Sequence, residues 1–175
     1  DFRLKKELQV AADVGGLRDA SLSFNRKSLL LSLPGEVLQV DCANGSILRQ
    51  ILLPGMTGFT ARLSSDETAW AAFIPQSSLA GVGPTGRSHA PTALEGHRMD
   101  IFNLAFSPTQ GLLATASIDN TARLWDAPSG RQVAVLNGHK EGVIDCAFSP
   151  DGRTLATASG DRTVKLWHVP TQRDM

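Results

Sequence analysis

The sequence predicts an all-β chain assembled from repeated four-stranded antiparallel units. Two observations carry this expectation. A block of 31 residues recurs at a shift of 42 without a gap, with 15 identical positions between residues 96–126 and 138–168. Inside each block, short runs of alternating apolar and polar residues are divided by Gly, Pro, Asn and Asp turns, with no helical spacing.

Each block supplies its strands in order. Ile101 to Phe106 and Val143 to Phe148 carry the apolar content of a first strand. Ser-Pro and then Thr-Gln-Gly or Asp-Gly make a tight turn, in which Gly can take a positive φ. Leu113-Ala-Thr-Ala-Ser117 and Leu155-Ala-Thr-Ala-Ser159 alternate apolar and hydroxyl side chains, as a second strand with two distinct faces requires. Asp119-Asn120 and Asp161-Arg162 mark the next turn. Thr121 to Trp125 and Thr163 to Trp167 form a third strand, with Val164 and Leu166 on one face and Lys165 and Trp167 on the other. Pro128-Ser-Gly130 turns the chain again, and Arg131 to Leu136 is the fourth strand. Four antiparallel strands in 42 residues make one blade of a β-propeller.

Gly96-His97 and Gly138-His139, the two Phe-Ser-Pro segments, Ser-x-Asp-x-Thr and Leu124-Trp125-Asp126 stand at spacings that resemble the WD-repeat family. The second unit departs from it by ending in Trp167-His168. This resemblance covers residues 95–168, and the Phe-Ser-Pro-Asp-Gly-Arg form is similar to bacterial members. It implies two buried structural tetrads, His97, Thr115, Asp119 and Trp125, then His139, Thr157, Asp161 and Trp167. A carboxylate, an imidazole, a hydroxyl and an indole N–H satisfy one another, so the set is chemically self-sufficient. His, Thr and Asp also compose a hydrolytic triad on paper. Their return every 42 residues argues against catalysis, because a catalytic set has no reason to repeat in each blade. The family's recurrent rim contacts fall here on Asp100, Phe102 and Ile118, and on Gly142, Ile144 and Gly160.

The amino-terminal half reads as an eroded version of the same unit. Phe24 and Leu63 stand for Phe106 and Phe148, giving intervals of 39, 43 and 42. Leu29 to Leu33, Glu36 to Asp41 and Ile47 to Leu52 are strands, with Val40-Asp41 where Trp-Asp would be. Phe59 to Leu63 and Ala69 to Ile74 follow, and Leu4 to Val10 resembles the fourth strand of a preceding blade. The expected units are 1–10, a blade over 11–53, a second over 54–94 with a Gly/Ser/Pro loop at 75–93, and repeats over 95–137 and 138–175. The last lacks its fourth strand. About four blades make a partial ring or open arc. A piece of a longer propeller is favoured over a small ring closed by Leu4 to Val10, in keeping with a start at Asp1 without an initiator Met.

Composition narrows the function. Seventeen basic and 17 acidic residues leave a formal net charge of zero, which argues against nucleic acid or an anionic membrane as partner. Cys42 and Cys146 are too far apart for a metal knuckle and read as reduced structural thiols. His89, His97, His139 and His168 lack ligand spacing, so no metal is expected. Gly81-Val-Gly-Pro-Thr-Gly86 matches a phosphate-loop string, but no helix follows it, so a flexible loop is expected. The expectation is a cytoplasmic, non-catalytic interaction scaffold without a cofactor, whose rim binds a protein or peptide. Open blade faces give it a route to self-association. The alternative is a sensor or regulatory region of a multidomain protein carrying a kinase or nucleotide-switch domain; an enzyme on a propeller scaffold ranks third.

Overall fold

The computed structural model describes residues 10, 15–53, 58–85 and 91–170. Its strands form four antiparallel sheets in chain order. The first comprises β1 (Asp19–Leu22), β2 (Ser28–Leu33), β3 (Glu36–Asp41) and β4 (Ile47–Leu52). The second comprises β5 (Thr60–Leu63), β6 (Ala69–Phe73), β7 (Ala80–Pro84) and β8 (Thr92–Ala93). In the third are β9 (Ile101–Phe106), β10 (Leu112–Ser117), β11 (Thr121–Asp126) and β12 (Arg131–Asn137). The fourth has β13 (Val143–Phe148), β14 (Thr154–Ser159) and β15 (Val164–His168). Each sheet packs on the next as propeller blades do, and among the described residues the arrangement is open.

Alternation along each strand builds two layers of core at once. In β6, Trp70 and Ala72 face the first sheet and join Leu30, Val37, Ile51 and Phe59. Their neighbours Ala71 and Phe73 face the third sheet and join Val82, Leu104, Leu113 and Trp125. A one-residue slip would exchange the layers, so the register is strongly specified. Between the third and fourth sheets, Ala114, Ala116, Ala122 and Leu124 receive Val143, Cys146 and Leu155. Burial pushes the Cys146 thiol up to about 12, which makes it an inert packing group. Polar ties between neighbouring sheets add to these layers. Arg62 pairs with Asp19 at 2.6 Å, the Ser65 hydroxyl donates to the Pro108 carbonyl at 2.8 Å, and Thr109 donates to the Asp151 carbonyl at 3.0 Å.

One serine fixes the common register. Ser107 N donates to Leu112 O, and Ser23, Ser64 and Ser149 close the same turn onto Ser28, Ala69 and Thr154. The counterparts of Phe106 are therefore Leu22, Leu63 and Phe148. Phe24 is not one of them; it takes the place of Pro108 in an exposed turn. The intervals become 41, 43 and 42.

The 75–93 segment is corrected too, because it contains β7 and β8. Gly81 and Gly83 lie in β7, where side chains would collide: a Cβ on Gly81 would stand 2.8 Å from Pro91, and one on Gly83 2.9 Å from Trp70. The glycines that resemble a loop are strand positions under close contact. The Leu4 to Val10 strand expectation lies outside the described residues except for Val10, which has no strand assignment and packs on Leu31, Leu33, Leu38 and Val40.

Candidate functional site

The loop before β9 supplies His97, β10 supplies Thr115, the β10–β11 turn supplies Asp119 and β11 supplies Trp125. The structure brings them together. Trp125 Nε1 donates to Thr115 Oγ1 at 2.9 Å, Thr115 Oγ1 and His97 Nε2 lie 2.7 Å apart, and His97 Nδ1 stands 2.8 Å from Asp119 Oδ2. The directions close with a neutral imidazole that donates from Nδ1 and accepts at Nε2. Burial depresses the His97 pKa and outweighs the raising effect of Asp119, consistent with that tautomer. For Asp119, burial alone would raise the pKa. Bonds from the Thr121 hydroxyl, His97 and the Arg98 amide more than offset it, and the carboxyl sits below its ordinary range.

His139, Thr157, Asp161 and Trp167 repeat the geometry at 2.9, 2.8 and 2.9 Å. The Thr163 hydroxyl and the Lys140 amide hold Asp161 well below the usual carboxylate range. The side chains of both histidines are fully enclosed, and Thr115 and Thr157 are buried. The hydrogen bonds run from the loop before β9 and the β10–β11 turn to side chains on β10 and β11. Among the described residues, no three His, Cys, Asp or Glu side chains converge as metal ligands.

The other two sheets solve the same packing problem without polar groups. Leu29 opposite Val40 corresponds to Leu113 opposite Trp125, so Val40 takes the Trp125 place and Leu31 the Thr115 place. Leu31, Leu33, Leu38 and Val40 form an apolar cluster there. In the second sheet Trp70 stands opposite Gly83, so the indole has moved one strand inward and glycine occupies the vacated place.

The rim residues fall into two groups. Ala116 pairs with Asn103 while Ser117 pairs with Ile101, which leaves Phe102 as the extra residue of a β-bulge. Val143 pairs with Ser159 and Asp145 with Ala158, which leaves Ile144 as its counterpart. A bulge re-aims the extra side chain, and both residues are 49% exposed. The second sheet shows no such shift, and there Phe59, just before β5, is buried. Asn103 donates to Asp145 beside the two bulges, holding β9 and β13 together. Exposed Met99, which the motif reasoning missed, adds apolar surface near the start of β9.

Ile118 and Gly142 belong to the packing instead. A Cβ on Gly142 would stand 3.0 Å from Ile118 Cα and Cγ2, so Ile118 leans across onto the neighbouring blade and is half-buried. Asp100 is half-buried and its carbonyl accepts from Ile118 N at 3.0 Å; Gly160 N makes the equivalent bond to Gly142 O at 3.0 Å. The structure thus sets Phe102 and Ile144 at equivalent exposed bulges of β9 and β13 and leaves Gly160 exposed but featureless.

Comparison with known proteins agrees with this architecture. The family model described as WD domain, G-beta repeat matches residues 89–126 and 130–168. The chain is 43% identical over 68 residues to Protein Mut11 of Chlamydomonas reinhardtii, covering 39% of this chain and 18% of that protein. To human Striatin-4 it is 46% identical over 56 residues, covering 32% and 7%. To the WD40 repeat-containing protein HOS15 of Arabidopsis thaliana it is 44% identical over 57 residues, covering 30% and 9%. The chain therefore spans less than a fifth of the length of each of these relatives. The matched segments enclose both tetrads, so residues 89–126 and 130–168 are similar to WD40 repeats, and the described residues form four antiparallel sheets arranged as propeller blades.

Proposed function

We propose that this chain is a non-catalytic interaction scaffold that binds a protein or peptide through the rim where Phe102 and Ile144 emerge. The observation that carries the reading is the pair of bulges. Two apolar side chains are turned out of adjacent inner strands at equivalent positions, where the register offers no packing reason for them. Aromatic and aliphatic groups set among polar neighbours are the usual composition of a small binding hot spot. Zero net charge favours such a partner over nucleic acid. Among the described residues no helix is long and apolar enough to cross a membrane.

The test is a peptide-display selection on the intact chain, followed by titration of the winners against Phe102→Ser and Ile144→Ser. Loss of roughly 2 kcal/mol of binding per substitution, with the unfolding midpoint unchanged, is the expected result. Peptides that bind both variants as tightly as the parent would overturn it.

A second reading is a regulatory blade set inside a larger protein. What favours it is that each relative extends far beyond the matched repeats. A further contact, self-association, is favoured by the face of the fourth sheet, where Val164 and Leu166 are 67% and 71% exposed.

A further inference from the structure

A cavity of about 320 Å³ lies on the flank of the third sheet, walled by Arg98, Asp119, Thr121, Arg123, Val135 and Asn137. Arg98 follows His97, and Asp119 and Thr121 belong to the β10–β11 turn, so the cavity sits at the same end of the sheet as the tetrad. Its walls are rich in donors and short of acceptors. Asp119 Oδ2 takes His97 Nδ1 at 2.8 Å and the Arg98 amide at 3.1 Å, while Oδ1 takes the Thr121 amide at 3.0 Å and its hydroxyl at 2.6 Å. That carboxylate has little accepting capacity left.

The two guanidinium groups are not matched. Arg123 Nη1 donates to Gln132 Oε1, and Nε is buried without an acceptor. Gly96 makes room for it, since a Cβ at 96 would collide with the guanidinium. Among the described residues neither Arg98 nor Arg123 forms an ion pair, and the Asn137 side chain holds no hydrogen bond. Two positive charges, one saturated carboxylate and an idle carboxamide leave the cavity net positive. Burial of Nε removes the water that would otherwise satisfy it.

We infer that this cavity is an oxyanion-binding site, taking a carboxylate or phosphoryl group between Arg98, Arg123 and Asn137. Charge-assisted hydrogen bonds from guanidinium to such groups are the strong ones, which suits a site short of acceptors. The inference is independent of the Phe102 and Ile144 surface and can fail without it.

The test follows backbone amide shifts of the isotope-labelled chain during titration with inorganic phosphate and, separately, with N-acetyl-glutamate α-amide. Sodium chloride at matched ionic strength is the reference. Saturable shifts at Arg98, Thr121 and Asn137 with either probe are expected, weakened about tenfold in Arg98→Gln and in Asn137→Asp. Tighter binding of phosphate identifies a phosphoryl group as the natural ligand, and tighter binding of the glutamate amide an acidic side chain. Shifts no different from chloride, or unchanged in both variants while the fold is intact, would overturn the inference.

Discussion

Trp70 on β6 and Gly83 on β7 stand opposite each other, and the indole fills the space a side chain at 83 would need, 2.9 Å from a Cβ there. In the third sheet the same two places hold Leu113 and Trp125. One large ring is used in each case, but on neighbouring strands. Gly83→Ala should therefore destabilise the chain by about 1–3 kcal/mol through overpacking. Trp70→Ala should cost about 3–5 kcal/mol through the cavity it leaves. Urea denaturation measures both. Trp70→Leu combined with Gly83→Trp restores the third sheet's pairing and should cost less than the sum of its single substitutions.

The tetrads differ in how deeply their tryptophans are buried. Trp125 is enclosed between sheets, whereas Trp167 is only partly covered. Trp125→Ala should lower the unfolding free energy by about 3–5 kcal/mol, and Trp167→Ala by clearly less. Thr115→Val keeps the shape but strands His97 Nε2 and Trp125 Nε1, and should cost about 1–3 kcal/mol. Equal losses at the two tryptophans would contradict the burial difference.

Acid should act in two stages. Because burial depresses the folded-state pKa of His97 below its ordinary 6.5, the unfolded chain takes up that proton first as pH falls. Its contribution is complete above about pH 6.5 and declines below. Asp119 and Asp161 lie below their ordinary 3.8 in the fold, so a second loss begins near that value and continues as pH falls. Unfolding midpoints measured across pH should be level near neutrality and fall twice. His97→Gln should remove the first fall and keep the second.

Much of the carboxy-terminal half was legible because its packing residues are also its motif residues. The bounds of β9 and β13 follow directly from the apolar runs, and the four members of each tetrad meet in space. The first two blades were harder to read for physical reasons. Leu31 and Val40 replace Thr and Trp with apolar groups that satisfy the same space, so no polar pattern remains to be seen. β7 reads Ala-Gly-Val-Gly-Pro, where the glycines answer to Trp70 and Pro91 on other segments. Such a strand has no alternation of its own. Phe24 misled because aromatic identity outweighed the Ser23 turn that sets the register. The outward turn of Phe102 and Ile144 depends on a bulge, which leaves no local mark in the sequence.

The fourth sheet offers a test in solution. Ala122 and Leu124 are covered by the following blade, but their counterparts Val164 and Leu166 are open. The wild-type chain should show concentration-dependent association in light scattering. Val164→Lys with Leu166→Lys should abolish it at little cost to stability, since both side chains face solvent. Association unchanged in the double variant would move the contact elsewhere.

The bulges at Phe102 and Ile144 separate two demands that most strand positions must meet at once. A residue inside the ladder answers to its cross-strand neighbour and to the layer beneath it, so its identity is tied to theirs. The extra residue of a bulge has given up its ladder partner, and the core closes through Ile101 and Val143 on either side of the question. Substitution at these two places is thereby released from folding constraints. Under the rim-binding function proposed above, one ligand preference can be exchanged for another in single steps, each of them nearly neutral to the scaffold that carries it.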